Sequence, residues 1–468
     1  MVKPSFDQIS QQLTSYQVNS IFSPQERITL IHATQNIYDQ IPEGIRVLLH
    51  TNNAPQFLST FFAAVGKNCL LFLGNCQWQL EEWQQVLDVV NPHLIIEDSG
   101  WNWLAIPTDI ESEAGIMIPT GGSSGKIRFV EHSWDTLSAS VKGFCHYFQQ
   151  ERVNCFCVLP LYHVSGLMQL MRTFLTGGDL GLFSYKRLEI AWKNQDSVLL
   201  TQFGKLPQND YFISLVPTQL QRLLNFGAGN WLSQFKAVLL GGAPSWESLL
   251  ETARAYNIPI ALTYGMTETA SQVVTLNPND FLSGNNSVGQ VLPHAKIIIQ
   301  GNSGEELAAG EVGKITIKSD SLGFGYFPDS TWNREQFMTD DRGYFDEAGY
   351  LYIVGRNSRK IITGGENVFP DEVEAAILAT GWITDVYVIG MADQNWGEVV
   401  TAIYVPKDQS VSVETIEKDL RQVLSAYKLP KQWLAVTEIP RNEQGKVNRN
   451  KIINLAFFSA KNRDRAAN

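Results

Sequence analysis

Long apolar runs are missing from this 468-residue chain. A membrane-spanning helix needs about 18 or more consecutive apolar residues, and the best run, Cys69-Leu-Leu-Phe-Leu73, falls far short, so no membrane span is expected. The amino terminus, Met1-Val-Lys-Pro-Ser-Phe-Asp-Gln, lacks the charged start and apolar centre of a secretory signal. Basic residues are in the minority: 36 Lys and Arg against 47 Asp and Glu leave a net charge of -11, which argues against a nucleic-acid partner. Cysteine is scarce as well. The five are odd in number and without zinc-like spacing, so reduced thiols in a cytoplasmic protein are expected. Cys155 and Cys157 alternate within Val153-Asn-Cys-Phe-Cys-Val-Leu159, the pattern of a buried strand, and packing is their expected use.

What is present is a length suited to two or three domains and an alternation of β and α signals. Residues 1–44 carry helical periodicity without nameable chemistry. From residue 45, strands are expected at 46–50, 69–73 and 94–96, with helices at 55–65 and 79–90 between them. Such alternation implies βαβ units and a mostly parallel sheet. In open α/β sheets, functional groups gather at the carboxyl ends of the strands.

Two stretches stand out on that expectation. Leu239-Leu-Gly-Gly-Ala-Pro244 and Leu262-Thr-Tyr-Gly-Met-Thr-Glu-Thr-Ala-Ser-Gln272 each read as a buried strand running into a polar turn. Together they offer backbone amides, hydroxyls, the ring of Tyr264 and the carboxylate of Glu268, a combination suited to a polar ligand with a flat ring. Pro119-Thr-Gly-Gly-Ser-Ser-Gly-Lys126 reads as a hairpin loop able to wrap phosphate oxygens. It is not a mononucleotide P-loop, since Thr120 replaces the first glycine and Ile127 the hydroxyl residue after Lys126. A solvated Gly/Ser turn is the plainer reading of the same residues. Ser133 is placed to cap a helix over 134–149. His163 falls between a strand and a helix start, where it is either structural or part of a site. Arg172 is the single charge on an apolar helix, either snorkelling to solvent or paired with a buried anion.

Residues 120–125, His163, Gly241-Gly-Ala-Pro244 and Tyr264-Gly-Met-Thr-Glu268 resemble, in the same order, the core motifs of the acyl-adenylate-forming superfamily. That superfamily contains acyl-CoA synthetases, luciferases and peptide-synthetase adenylation domains. The runs Pro160-Leu-Tyr-His-Val-Ser-Gly166, Val216-Pro-Thr-Gln-Leu-Gln-Arg-Leu-Leu224 and Gly265-Met-Thr-Glu-Thr-Ala-Ser-Gln272 look most like the o-succinylbenzoate-CoA ligase branch, whose members serve menaquinone and phylloquinone synthesis. The resemblance implies an α/β fold: a large N-terminal AMP-binding domain of mostly parallel βα layers with a small β subdomain, residues 1–356, and a small mobile α+β C-terminal domain, residues 357–468. It implies ATP, Mg²⁺ and coenzyme A as the reaction's partners beside a small carboxylic acid, and it allows a homodimer.

Site roles follow from the same resemblance. Thr120, Gly121, Gly122, Ser123, Ser124 and Gly125 would cradle the phosphates of ATP, with Arg128 where the family has lysine. Gly241, Gly242, Ala243 and Pro244 would line the adenine, with Tyr264 stacked on it and Gly265 beside it. Thr267 would meet the α-phosphate and Glu268 would hold Mg²⁺, although a carboxylate at a helix start has a plain structural use. Asp341 would bind the ribose hydroxyls and Arg356 ribose and phosphate. Asp340 stands where the family has glycine, leaving an adjacent like charge to be explained. Ser358 matches the hinge, and Gly364, Gly365, Glu366 and Asn367 the loop of the thioester step. Lys446 matches the lysine that bridges the attacking carboxylate and ATP. His163, Arg172, Gly265, Ser271 and Gln272 would line the acyl pocket, with Arg172 taking the second carboxylate of the substrate. His163, Glu268 and Lys446 form the expected catalytic set.

No Ser or Cys sits in a strained elbow beside a base, so a covalent enzyme intermediate is not expected. Positioning and charge neutralisation around an attacking carboxylate fit the inventory instead. Another aryl- or acyl-CoA ligase, or a silent nucleotide- or partner-binding protein, remains open at this level.

Overall fold

The computed structural model describes residues 5–15, 24–104, 114–121, 127–204, 206–328, 330–332, 335–363, 366–393, 396–408, 411–441, 447–448 and 451–456. Strands Gly115–Gly121, Leu70–Leu73, Arg46–His50 and Leu94–Glu97 run parallel in that spatial order within an eight-stranded sheet. Its margins are antiparallel: Ile127–His132 and Gly325–Phe327 on one side, Gly100–Trp103 on the other. Leu70–Leu73 is buried at every position, as a parallel strand covered on both faces must be. The helix Ala54–Gly66 starts where the Asn53 side chain accepts from the Gln56 amide, and nine consecutive residues from Phe57 to Val65 are buried.

A second sheet of seven strands places Ile260–Met266, Ala237–Leu240, Tyr211–Leu215, Asn154–Cys157 and Leu180–Leu182 side by side, all parallel. Helices Trp134–Phe148 and Val164–Thr176 share one core with both sheets, joining Val47, Leu71 and Ile116 to Phe144, Leu167 and Phe174 and on to Cys155, Phe212 and Leu239. Ser133 caps the first of these helices, its hydroxyl accepting from the Thr136 amide. All five cysteines are free thiols, and Cys155 and Cys157 lie within the core. No helix among the described residues is long and apolar enough to cross a membrane.

The β subdomain is a four-stranded antiparallel sheet, Ala295–Gln300, Gly313–Ser319, Phe337–Phe345 and Leu351–Arg356. Residues beyond 357 build a separate five-stranded sheet with its own core, including Ile361, Val373, Ile377, Val388 and Ala402. A large α/β unit followed by a smaller α+β unit is thus the architecture. Ile383–Asp393 and Gly397–Pro406 pair directly in antiparallel register, because the few residues between them are too short for a crossover and suffice only for a hairpin.

Candidate active site

The central parallel strands end where the two marked stretches begin. After Ala237–Leu240 the chain leaves the sheet through Gly242, at φ +82°, and an exposed Ala243-Pro244. Glycine takes that left-handed conformation without the Cβ clash other residues suffer. Ile260–Met266 continues further and then folds back: a 3-10 turn over Thr267–Thr269 leads into Ser271–Thr275, antiparallel to the strand just left. Ser271 and Gln272 therefore belong to a returning strand rather than to the polar turn expected for them. The register shifts at Tyr264/Gly265, and a Cβ on Gly265 would lie 2.1 Å from the Ser271 carbonyl oxygen. Ala270 and Ser271 both have positive φ, 50° and 92°, a strained conformation that surrounding contacts must hold.

Those contacts are hydrogen bonds to four successive carbonyls. His132 Nε2 lies 2.7 Å from the Thr267 oxygen and the Gly323 amide donates to the Glu268 oxygen at 2.9 Å. Ser321 Oγ donates to Thr269 at 2.8 Å and Ser140 Oγ to Ala270 at 2.7 Å. A carbonyl can only accept, so His132 carries its proton on Nε2; burial pushes its pKa down to about 4, against the opposing pull of the Thr267 bond, and the ring is neutral at pH 7. The turn is thereby fixed before any ligand arrives, and the buried Glu268 side chain rides on it, accepting from the Tyr326 hydroxyl.

Beside this turn, the Tyr264 hydroxyl donates to Asp341 Oδ2 at 2.8 Å, while Arg356 Nε donates to Asp341 Oδ1 at 3.0 Å. Burial, with Asp341 adjacent, holds the Tyr264 phenol well above its usual range, so it stays a donor. The ring expected against adenine and the carboxylate expected on ribose are thus one connected group. On the other side, His163 is the N-cap residue of Val164–Thr176 and is 7% exposed. Arg172, further along that helix, is 1% exposed. The snorkelling reading fails.

Arg172 donates through Nη2 to Ser271 Oγ at 3.1 Å and to Gln272 Oε1 at 3.2 Å, and its guanidinium carbon lies 4.2 Å from the centre of the Phe144 ring. Nε has no partner, and no carboxylate pairs with this cation among the described residues. Burial lowers its pKa to about 10, which leaves it charged at pH 7. The nearby Cys155 thiol is pushed up to about 12 by burial and supplies no compensating anion. A buried charge paired only with neutral dipoles is expensive, and an arriving carboxylate would relieve that cost.

Residues 104–327 match the AMP-binding enzyme family, and residues 372–446 match the AMP-binding enzyme C-terminal domain. A 2-succinylbenzoate–CoA ligase of Listeria monocytogenes is 30% identical across 92% of this chain and 96% of its own length. Another, from Enterococcus faecalis, is 34% identical over 73% of this chain and 69% of that protein. The chain belongs to the AMP-binding enzyme family. In three dimensions it is similar to the o-succinylbenzoate CoA synthetase of Bacillus subtilis in complex with the acyl-adenylate intermediate, with a TM-score of 0.81 and 25% identity over 96% of this chain and 98% of that one.

Of the motif residues of an AMP-binding enzyme, Gly122, Ser123, Ser124, Gly125, Gly364, Gly365 and Lys446 lie outside the described residues. Thr120 and Gly121 end the strand that enters the expected phosphate loop, paired with Arg128 and Ile127. Glu366 and Asn367 pair across their own hairpin with Thr363 and Ile362, and no hydrogen bond or ion pair among the described residues joins that hairpin to Glu268 or Arg172. The extra acid at Asp340 finds its explanation in strand geometry, because neighbouring side chains on Phe337–Phe345 face opposite ways. Asp341 turns to Tyr264 and Arg356, whereas Asp340 accepts from the Ser358 amide at 3.2 and 3.1 Å and from its hydroxyl. His132, Ser140, Ser321 and Tyr326 escaped the sequence reading. Each is an isolated hydroxyl or ring far along the chain from Glu268, and only the family order of the motifs around them could have drawn attention to their segments.

Proposed function

We infer that the protein is an ATP-dependent 2-succinylbenzoate–CoA ligase, AMP-forming, which activates its acid as an acyl-adenylate and then transfers the acyl group to coenzyme A. The observation that carries the choice of acid is Arg172: a buried cation with no anion partner among the described residues, bonded to Ser271 and Gln272, the first two residues of the strand that follows the Glu268 turn. A dicarboxylate has one group to be activated and one to be held, and Arg172 with Ser271 suits the second. His163, at the start of the same helix, lines the acyl side.

In the first step an oxygen of the substrate carboxylate attacks the α-phosphorus of ATP and pyrophosphate leaves. Thr267, on the stapled turn, contacts the α-phosphate, and the Tyr264–Asp341–Arg356 group holds adenine and ribose so that the reacting atoms meet in line. Gly241 to Pro244 line the base. Glu268 suits Mg²⁺, a hard cation that takes one or two carboxylates and completes its shell with phosphate oxygens and water. When bound, that cation neutralises phosphate charge. Lys446 serves this step, and the second step replaces it with the loop of residues 364–367 after rotation about Ser358, with residues 1–356 and 357–468 as the two moving parts. Asp340 restrains that rotation through its bonds to Ser358. In the second step the sulfur of coenzyme A attacks the acyl carbonyl, AMP departs, and the thioester forms. Substrates of this kind and five free thiols fit a cytoplasmic location.

Mass spectrometry of the product formed from 2-succinylbenzoate, ATP and coenzyme A tests the reading: the thioester and AMP are expected. Pyrophosphate release with monocarboxylic aryl acids but not with 2-succinylbenzoate would assign a different acid, and no adenylate with any acid would remove the activity. Lys446→Ala should lose adenylation yet convert supplied acyl-adenylate to thioester.

A further inference from the structure

One line of contacts runs from the phosphate hairpin to the metal carboxylate without a part in the steps above. Tyr326 donates its hydroxyl to Glu268 Oε1. It sits on Gly325–Phe327, which pairs antiparallel with Ile127–His132 through Tyr326↔Val130 and Phe327↔Phe129. The phenol therefore stands on the strand hydrogen-bonded beside the hairpin that carries Arg128 and leads into the phosphate loop. Two contacts orient its ring: Trp332 meets it edge-on at 4.9 Å and 79°, and the Arg128 guanidinium carbon stands 5.3 Å from its centre. The backbone around it is tied down as well, by Gly323 to the Glu268 carbonyl at 2.9 Å and by Phe324 to the Glu131 carbonyl at 2.8 Å.

We propose that Tyr326 is a positioning residue for the metal carboxylate, holding one oxygen of Glu268 so that the other is left for the cation, and that Arg128 orients the phenol through its contact with the ring. The proposal rests on the reading of Glu268 as the Mg²⁺ ligand. A glutamate's terminal torsion is broad, so an unheld carboxylate loses orientation that a single fixed donor restores. Arginine where the family has lysine also gains a physical reason: a planar guanidinium covers an aromatic face in a way an ammonium does not. Coupling follows from the mounting, since whatever moves the phosphate hairpin moves the donor on Glu268.

The test uses the full chain with Mn²⁺ as probe, water-proton relaxation reading metal affinity in the presence of ATP, and calorimetry reading ATP affinity in EDTA. Tyr326→Phe, which keeps the ring contacts, should weaken Mn²⁺ about tenfold in the ATP complex while ATP in EDTA changes less than about twofold. In a Glu268→Gln background the same change should cost nothing further, because the group it positions is gone. Arg128→Lys should weaken Mn²⁺ by less than Tyr326→Phe does. Unchanged Mn²⁺ affinity in Tyr326→Phe, or equal losses with and without metal, overturns the proposal. If Glu268→Gln alone leaves Mn²⁺ affinity at the wild-type value, the assignment of Glu268 falls instead, and thioester formation by the wild type then decides whether the ligase reading survives it.

Discussion

Two arginines, Arg172 fully buried and Arg359 largely so, lie on either side of residue 358 and are treated in opposite ways. Arg359, in the smaller unit, places one nitrogen 2.5 Å from Asp371 and another 2.5 Å from Glu374, with the Tyr387 ring 4.7 Å away. Arg172, in the larger unit, is more deeply buried yet has only a hydroxyl, an amide oxygen and the Phe144 ring. The first cation is satisfied by the chain itself and belongs to the architecture. The second has no carboxylate partner among the described residues, and under the proposed function that partner is the substrate.

Removing each charge should separate these roles. Arg359→Met leaves two carboxylates facing each other without their cation and should cost the smaller unit about 3 kcal/mol, read as a lower urea midpoint. Arg172→Met should change stability by less than about 1 kcal/mol, since only neutral partners are stranded. Its effect belongs to catalysis: kcat/KM for 2-succinylbenzoate should fall about a hundredfold, near 2.7 kcal/mol, with little change for benzoate. Equal losses for the two acids would break the comparison. Next in size is pH. The folded pKa values of His132 and His294 are depressed to about 4, in both cases chiefly by burial. The unfolded state therefore binds protons more tightly, and the stability these rings contribute above pH 6.5 is lost as pH falls towards 4, on the order of 1 to 3 kcal/mol each. His132→Gln should flatten that slope in acid unfolding curves. Asp340→Ala should give the smallest effect, about 1 kcal/mol on the hinge, seen as an altered ratio of adenylation to thioester rates with little change in midpoint.

Particular residues mark how far the sequence could be read. The strand Arg46–His50 and the Ser133 cap follow from local rules of periodicity and capping, and they were legible. The dependence of Glu268 on His132, Ser140, Ser321 and Tyr326 was not, because those partners lie up to 136 positions away in Glu268's own neighbourhood of the fold and obey no local pattern. Arg172 was visible as an anomaly with two readings, and only its burial chose between them. Asp340 looked like a repulsive neighbour of Asp341 until strand alternation sent the two carboxylates to different partners.

By itself the sequence determined the class of fold, the order of the motifs and the chemical inventory, because period, capping and residue type act over a few neighbouring positions. Tertiary structure decided which groups meet. It folded Ser271 and Gln272 back beside Arg172, joined Tyr264 to Asp341, and fixed the Glu268 turn through four carbonyl partners drawn from three other segments. Those decisions depend on distances between strands and helices far apart in the chain, and only the packed core sets them.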